Sequence, residues 1–84
     1  MIGLGTRWRF GSTPPARLPE AAAVAVARAE DELRDAAPDV VAASWTLTWL
    51  EGRPVAELDH ETDRGFPTVT LDPVSGEGRL SYER

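Results

Sequence analysis

The stretch from Pro19 to Leu50, PEAAAVAVARAEDELRDAAPDVVAASWTLTWL, changes its apolar period part-way along, and that change decides the fold class. From about Leu18 to Ala37, at about 100° per residue, Leu18, Ala22, Ala25, Val26, Ala29, Leu33 and Ala36 fall in one stripe. Glu20, Arg28, Asp31, Arg34 and Asp35 fall outside it. Pro19 suits a first helical position, Glu20 complements the helix dipole, and Pro38 stops the run because proline disfavours helical backbone at Ala37. A helix is predicted over Leu18–Ala37. From Val40 to Leu50 the period drops to two: Val41, Ala43, Trp45, Leu47 and Trp49 alternate with Ala42, Ser44, Thr46 and Thr48, as on a strand with one buried face. The small alanines of the helix are matched in volume to the large indoles of that strand.

Working outward, Leu4, Thr6, Trp8 and Phe10 alternate with Gly5, Arg7 and Arg9 and predict a strand before the helix, broken by Gly11–Pro15. On the carboxyl side Glu51-Gly52-Arg53 reads as a tight turn into a strand from Val55 to His60. Asp63-Arg64-Gly65 turns the chain again before Phe66–Asp72. Asp72-Pro73-Val74-Ser75-Gly76 has proline and glycine where a bulged hairpin wants them, and Gly78–Glu83 closes the set. The expectation is an α+β domain in which one Ala-rich helix packs on one face of an antiparallel sheet of four to five strands, in the order β-α-β-β-β-β. The other face would show Arg7, Arg9, Thr46, Thr48, Glu57, Thr68, Thr70 and Arg79.

With 84 residues there is material for one hydrophobic core. All nine basic residues are arginine, and lysine, asparagine and glutamine are absent, which reads as the imprint of a GC-rich bacterial genome. The net charge of −5 argues against phosphate-backbone binding and modestly favours a neutral or basic protein partner. No cysteine is present, so thiol catalysis, thiolate metal sites and disulfides are excluded. No apolar run reaches the length needed to cross a bilayer and no export signal is visible between Met1 and Phe10, which predicts a cytoplasmic protein.

The succession of Ala-rich helix from Glu20, hairpin Glu51-Gly52-Arg53-Pro54-Val55 and closing Leu71-Asp72-Pro73-Val74-Ser75-Gly76-Glu77 resembles a PEPSY domain. That family pairs a helix with a small antiparallel sheet. The resemblance implies a non-catalytic module that binds or restrains a peptidase or another partner.

Constellations with chemical potential are few. Asp59, Glu61 and Asp63 alternate like the start of a calcium loop, but Arg64 and Thr70 stand where such a loop needs glycine and a bidentate acid. The stretch reads as a solvated acidic turn, with a weak divalent site as the alternative. His60, the single histidine, has no nucleophile in an elbow motif to serve and reads as a surface or capping residue. The pairs Asp31/Asp35 and Glu30/Asp31 read as a solvated helix face, with Glu30 reaching Arg34 at i, i+4. Trp8, Trp45 and Trp49 are core or binding anchors, and Trp49 or Trp8 is expected near an open edge.

No catalytic, cofactor or metal site is predicted. The expected function is that of a small acidic, non-enzymatic interaction module, inhibitory or immunity-type, that binds another protein chain through a sheet edge or the open face. Arg7, Arg9, Thr46, Thr48 and Trp49 are the candidate contact residues. A self-assembling subunit pairing edge strands with a second copy is the alternative, and a small-molecule enzyme or binding protein ranks third.

Overall fold

The computed structural model describes residues 5–84. Leu4, expected to open the first strand, lies outside them. One helix, α1 (Glu20–Ala36), packs on a five-stranded antiparallel sheet formed by β1 (Thr6–Arg9), β2 (Ser44–Leu50), β3 (Arg53–Leu58), β4 (Phe66–Leu71) and β5 (Gly78–Glu83). The strands lie side by side in chain order, so β1 and β5 are the two edges. This is the predicted α+β class and element order.

Local chemistry sets the boundaries. Pro19 is the residue before the helix rather than its first turn, and its carbonyl accepts from the amide of Ala23 at 2.9 Å. Ala37 closes the far end on the Leu33 carbonyl at 2.8 Å. The long strand expected from Val40 begins only at Ser44, because Pro38–Ala42 coil into a 3-10 turn that buries Val40 and leaves Val41 exposed. The proline fixes φ at the start of that turn, and the turn brings the chain from the helix end to the sheet. β2 and β3 are joined by Glu51-Gly52, both at positive φ (53° and 79°), the backbone that a two-residue hairpin with right-handed twist requires. β3 starts at Arg53 rather than Val55 and ends at Leu58.

Register assigns the faces. Trp8, Trp45 and Leu58 form one helix-side row, and Leu47, Ala56, Val69 and Leu80 another. The indoles of Trp8 and Trp45 stack at 6.2 Å between centroids with 16° between planes. Val26, Ala29, Leu33, Trp45, Leu47, Leu58 and Val69 are each buried almost completely, and each large aliphatic side chain among them contributes about 1.5–3 kcal/mol on leaving water. Two members of the predicted stripe fall short of the core: Ala25 is half-buried and Ala36 is exposed.

The reverse error concerns Glu30, expected on the solvated face beside Arg34. It is buried, and its Oε2 accepts from the Gly11 amide and from Trp45 Nε1, both at 2.9 Å. Arg34 instead donates to Asp31 at 3.0 Å and lies over the Phe10 ring, with 5.2 Å from Cζ to the centroid. A carboxylate is drawn into the core here because the buried Trp45 indole N–H and the part-buried Gly11 amide converge on it. Thr68 lies on the face away from the helix, as expected, but is only 5% exposed. β3 and β5 flank it, and its hydroxyl donates to the Phe66 carbonyl at 3.0 Å.

Candidate functional site

The five residues expected to contact a partner divide between the two faces. Arg7, Arg9, Thr46 and Thr48 share the face away from the helix, with Arg7 directly opposite Thr46 and Arg9 opposite Ser44. Arg7 is already engaged there, donating to the Thr46 hydroxyl at 3.4 Å and lying 3.5 Å from Asp59. Trp49 points to the helix side, opposite Pro54, at the end of the sheet. It remains 46% exposed because α1 lies over β4 and β5 and leaves this corner uncovered. Trp8 is buried beneath the helix side.

The acidic turn also resolves into ordinary contacts. Thr62 and Gly65 bond to each other's backbone at 2.9 and 3.0 Å, while Asp59 faces Arg7. Among the described residues no three His, Asp or Glu side chains come together as a metal-ligand set. No helix among them is long and apolar enough to cross a membrane.

What the sheet does expose is strand edge, and the two edges differ. β1 has four residues, and the Arg9 carbonyl on its outer side is taken by the Ser12 amide at 3.0 Å and hydroxyl at 2.7 Å. β5 has six residues with neither proline nor bulge, and its guards are the charged side chains Arg79 and Glu83 on the face away from the helix. The Asp72 amide donates to the Glu77 carbonyl at 2.8 Å, which sets the alternation of the β4–β5 ladder. Thr70 with Arg79, Thr68 with Ser81 and Phe66 with Glu83 are then the hydrogen-bonded pairs. Gly78, Leu80 and Tyr82 consequently turn their N–H and C=O groups outward, where no described segment meets them.

Beside this edge runs a groove of about 710 Å³ between α1 and β5. Its helix wall is Glu20, Val24, Arg28 and Glu32, spaced four apart, and its floor is Ala25, Gly78 and Leu80. The groove is narrow at its start because Gly78 lets the helix come down: a Cβ there would stand 2.5 Å from the Ala25 Cβ and 2.6 Å from the Ala21 carbonyl oxygen. Val24 is 46% exposed on the wall. Outside this groove, in a separate concavity bordered by Glu32 and Leu33, the Arg64 guanidinium lies 5.4 Å from the Tyr82 ring centroid.

The hairpin that presents β5 is stiffened by Asp72. Its Oδ1 accepts from the amides of Val74 at 2.8 Å and Ser75 at 3.0 Å, and its Oδ2 lies 3.5 Å from Arg79. The backbone bonds from Ser75 and Val74, ahead of the Arg79 charge, hold its carboxyl below the usual aspartate value.

The residues along this edge and groove are not the five that the sequence suggested as contacts. The spacing Glu20, Val24, Arg28, Glu32 is visible in the sequence as a mixed stripe beside the alanine stripe. That this stripe borders a free strand depends on where β5 sits. No protein-family model matches the chain, and neither a curated protein nor a solved structure matches it.

Proposed function

We propose that this chain is a non-enzymatic protein-interaction module that binds another protein chain by strand addition at β5. The observation that carries this reading is the row of outward N–H and C=O groups at Gly78, Leu80 and Tyr82, lying against a groove with an exposed valine on its wall. Main-chain bonds along such an edge supply affinity, and alternate side chains in the adjoining groove supply specificity. The PEPSY resemblance points the same way, toward a domain that restrains a partner rather than transforms a substrate. The net charge of −5 favours neutral or basic surfaces over nucleic acid.

Two proline variants test it. Leu80→Pro and Tyr82→Pro each remove one outward N–H while leaving the ladder to β4 untouched, since neither amide points toward β4. Each is expected to keep the circular dichroism spectrum of the wild type and to lose association, with a host protein or with itself, by at least about tenfold. Association unchanged in both folded variants would assign binding to another surface and overturn the reading.

A further inference from the structure

Resting on that reading, we infer that the occupant of the β5 edge is a second copy of the chain, paired antiparallel about a two-fold axis through Ser81. The outward groups of β5 belong to Gly78, Leu80 and Tyr82, so an antiparallel copy must set these residues opposite one another. Several registers meet that condition, and charge selects among them. With Ser81 facing the partner's Ser81, Leu80 and the partner's Tyr82 exchange both main-chain bonds. Their side chains, both on the helix side of the sheet, then meet in the groove.

On the opposite face the same register sets Arg79 against the partner's Glu83, and by symmetry Glu83 against the partner's Arg79. Opposite charges directly across an antiparallel pair are favourable. Sliding one way by two residues sets Glu77 against the partner's Glu83, two like charges. Sliding the other way sets Glu83 against the partner's Ser81 and leaves Arg79 with its own Asp72 but no acid on the partner. Only the Ser81-centred register satisfies both ends of the strand.

The helix wall agrees with this axis. Gly78 lies beneath Ala21 and Ala25. Three residues of strand advance about 10 Å, equal to roughly six or seven residues of helix. Ser81 is therefore level with Ala29 and Glu30, and the axis passes between Arg28 and Glu32. A two-fold axis perpendicular to the sheet keeps both helices on one side, running antiparallel. Arg28 then faces the partner's Glu32, and Glu32 faces the partner's Arg28. Val24 and Leu80, left open in the single chain, are covered along the seam. The result is one continuous sheet with the self-complementary contact that a two-fold dimer demands.

Charge exchange tests this with the whole chain in sedimentation velocity. Wild type is expected to dimerise at micromolar concentration. Arg79→Glu and Glu83→Arg, each alone, place like charges across both pairs and are expected to weaken self-association at least about tenfold. Mixing the two variants one to one restores both opposite-charge pairs and is expected to give a heterodimer of near wild-type strength. Thermal melting of each variant at dilution checks that the single chain still folds.

A wild-type chain that stays monomeric to about 100 µM, or a dimer indifferent to both reversals and to mixing, overturns the pairing. If that monomer binds a foreign chain, for example a basic extended segment, and Leu80→Pro abolishes the binding, strand addition at β5 stands and only the identity of the occupant was wrong. A dimer that also survives Leu80→Pro and Tyr82→Pro overturns both.

Discussion

Trp45 donates its indole N–H to Glu30 at 2.9 Å, and the same carboxylate oxygen takes the Gly11 amide at the same distance. One side chain on α1 thereby holds both the first long strand of the hairpin series and the loop that follows β1. The connection from strand to helix is anchored from inside rather than by a cap at the helix start, where Pro19 offers no side-chain bond.

Removing that acceptor strands a buried donor. Glu30→Ala is expected to cost about 1–3 kcal/mol, since the buried Trp45 indole N–H left unmet carries its desolvation penalty while the part-buried Gly11 amide is open to water. Glu30→Gln keeps an oxygen in place and is expected to cost less than half of that. Urea unfolding of the two variants measures the difference, and equal midpoints for Glu30→Ala and wild type would show the bond to be unimportant.

Trp45 is fully buried, stacked on Trp8 and opposite Leu58 on the sheet. Trp45→Ala is expected to cost about 3–5 kcal/mol, enough to unfold most of a population of this size. Trp45→Phe separates packing from the Glu30 bond, because it retains a ring and loses the donor. A melting temperature for Trp45→Ala within a few degrees of wild type would contradict the packing described above.

Gly78 is where the helix meets the edge strand. Gly78→Ala drives a methyl into the Ala25 Cβ and the Ala21 carbonyl, and an overpacking cost of about 1–3 kcal/mol is expected. Ala25→Gly in the same chain removes the side-chain clash but not the carbonyl one, so only partial recovery is expected. Full recovery would mean that the helix backbone moves freely over β5.

Asp72 gives the stability a pH dependence at the acid end. Its folded pKa is lowered by the Ser75 and Val74 amides, so its contribution is complete above the ordinary aspartate value of 3.8 and is lost as pH falls through the lower folded value. Asp72→Ala is expected to flatten that part of the curve while leaving the profile above about pH 5 parallel to wild type. Thermal melts between pH 2 and 6 for both proteins provide the comparison, and identical acid limbs would show that the turn bonds do not discriminate the ionised form.

Much of this protein was legible without coordinates. The shift of period from the alanine stripe to the alternation at Trp45, Leu47 and Trp49, together with glycine and proline at Gly52, Pro73 and Gly76, specifies one helix, its strands and their turns. Those signals are local, and local backbone preference and side-chain period are what a linear pattern encodes. Three features were not local. Glu30 looked like one more surface acid because burial of a carboxylate depends on donors arriving from Gly11 and Trp45, far along the chain. The turn at Pro38–Ala42 had the apolar content of a strand, and only its packing between helix and sheet chose otherwise. The free edge at Leu80 and Tyr82 follows from strand order: every strand presents N–H and C=O groups on two sides, and the tertiary arrangement alone decides which side is left without a neighbour.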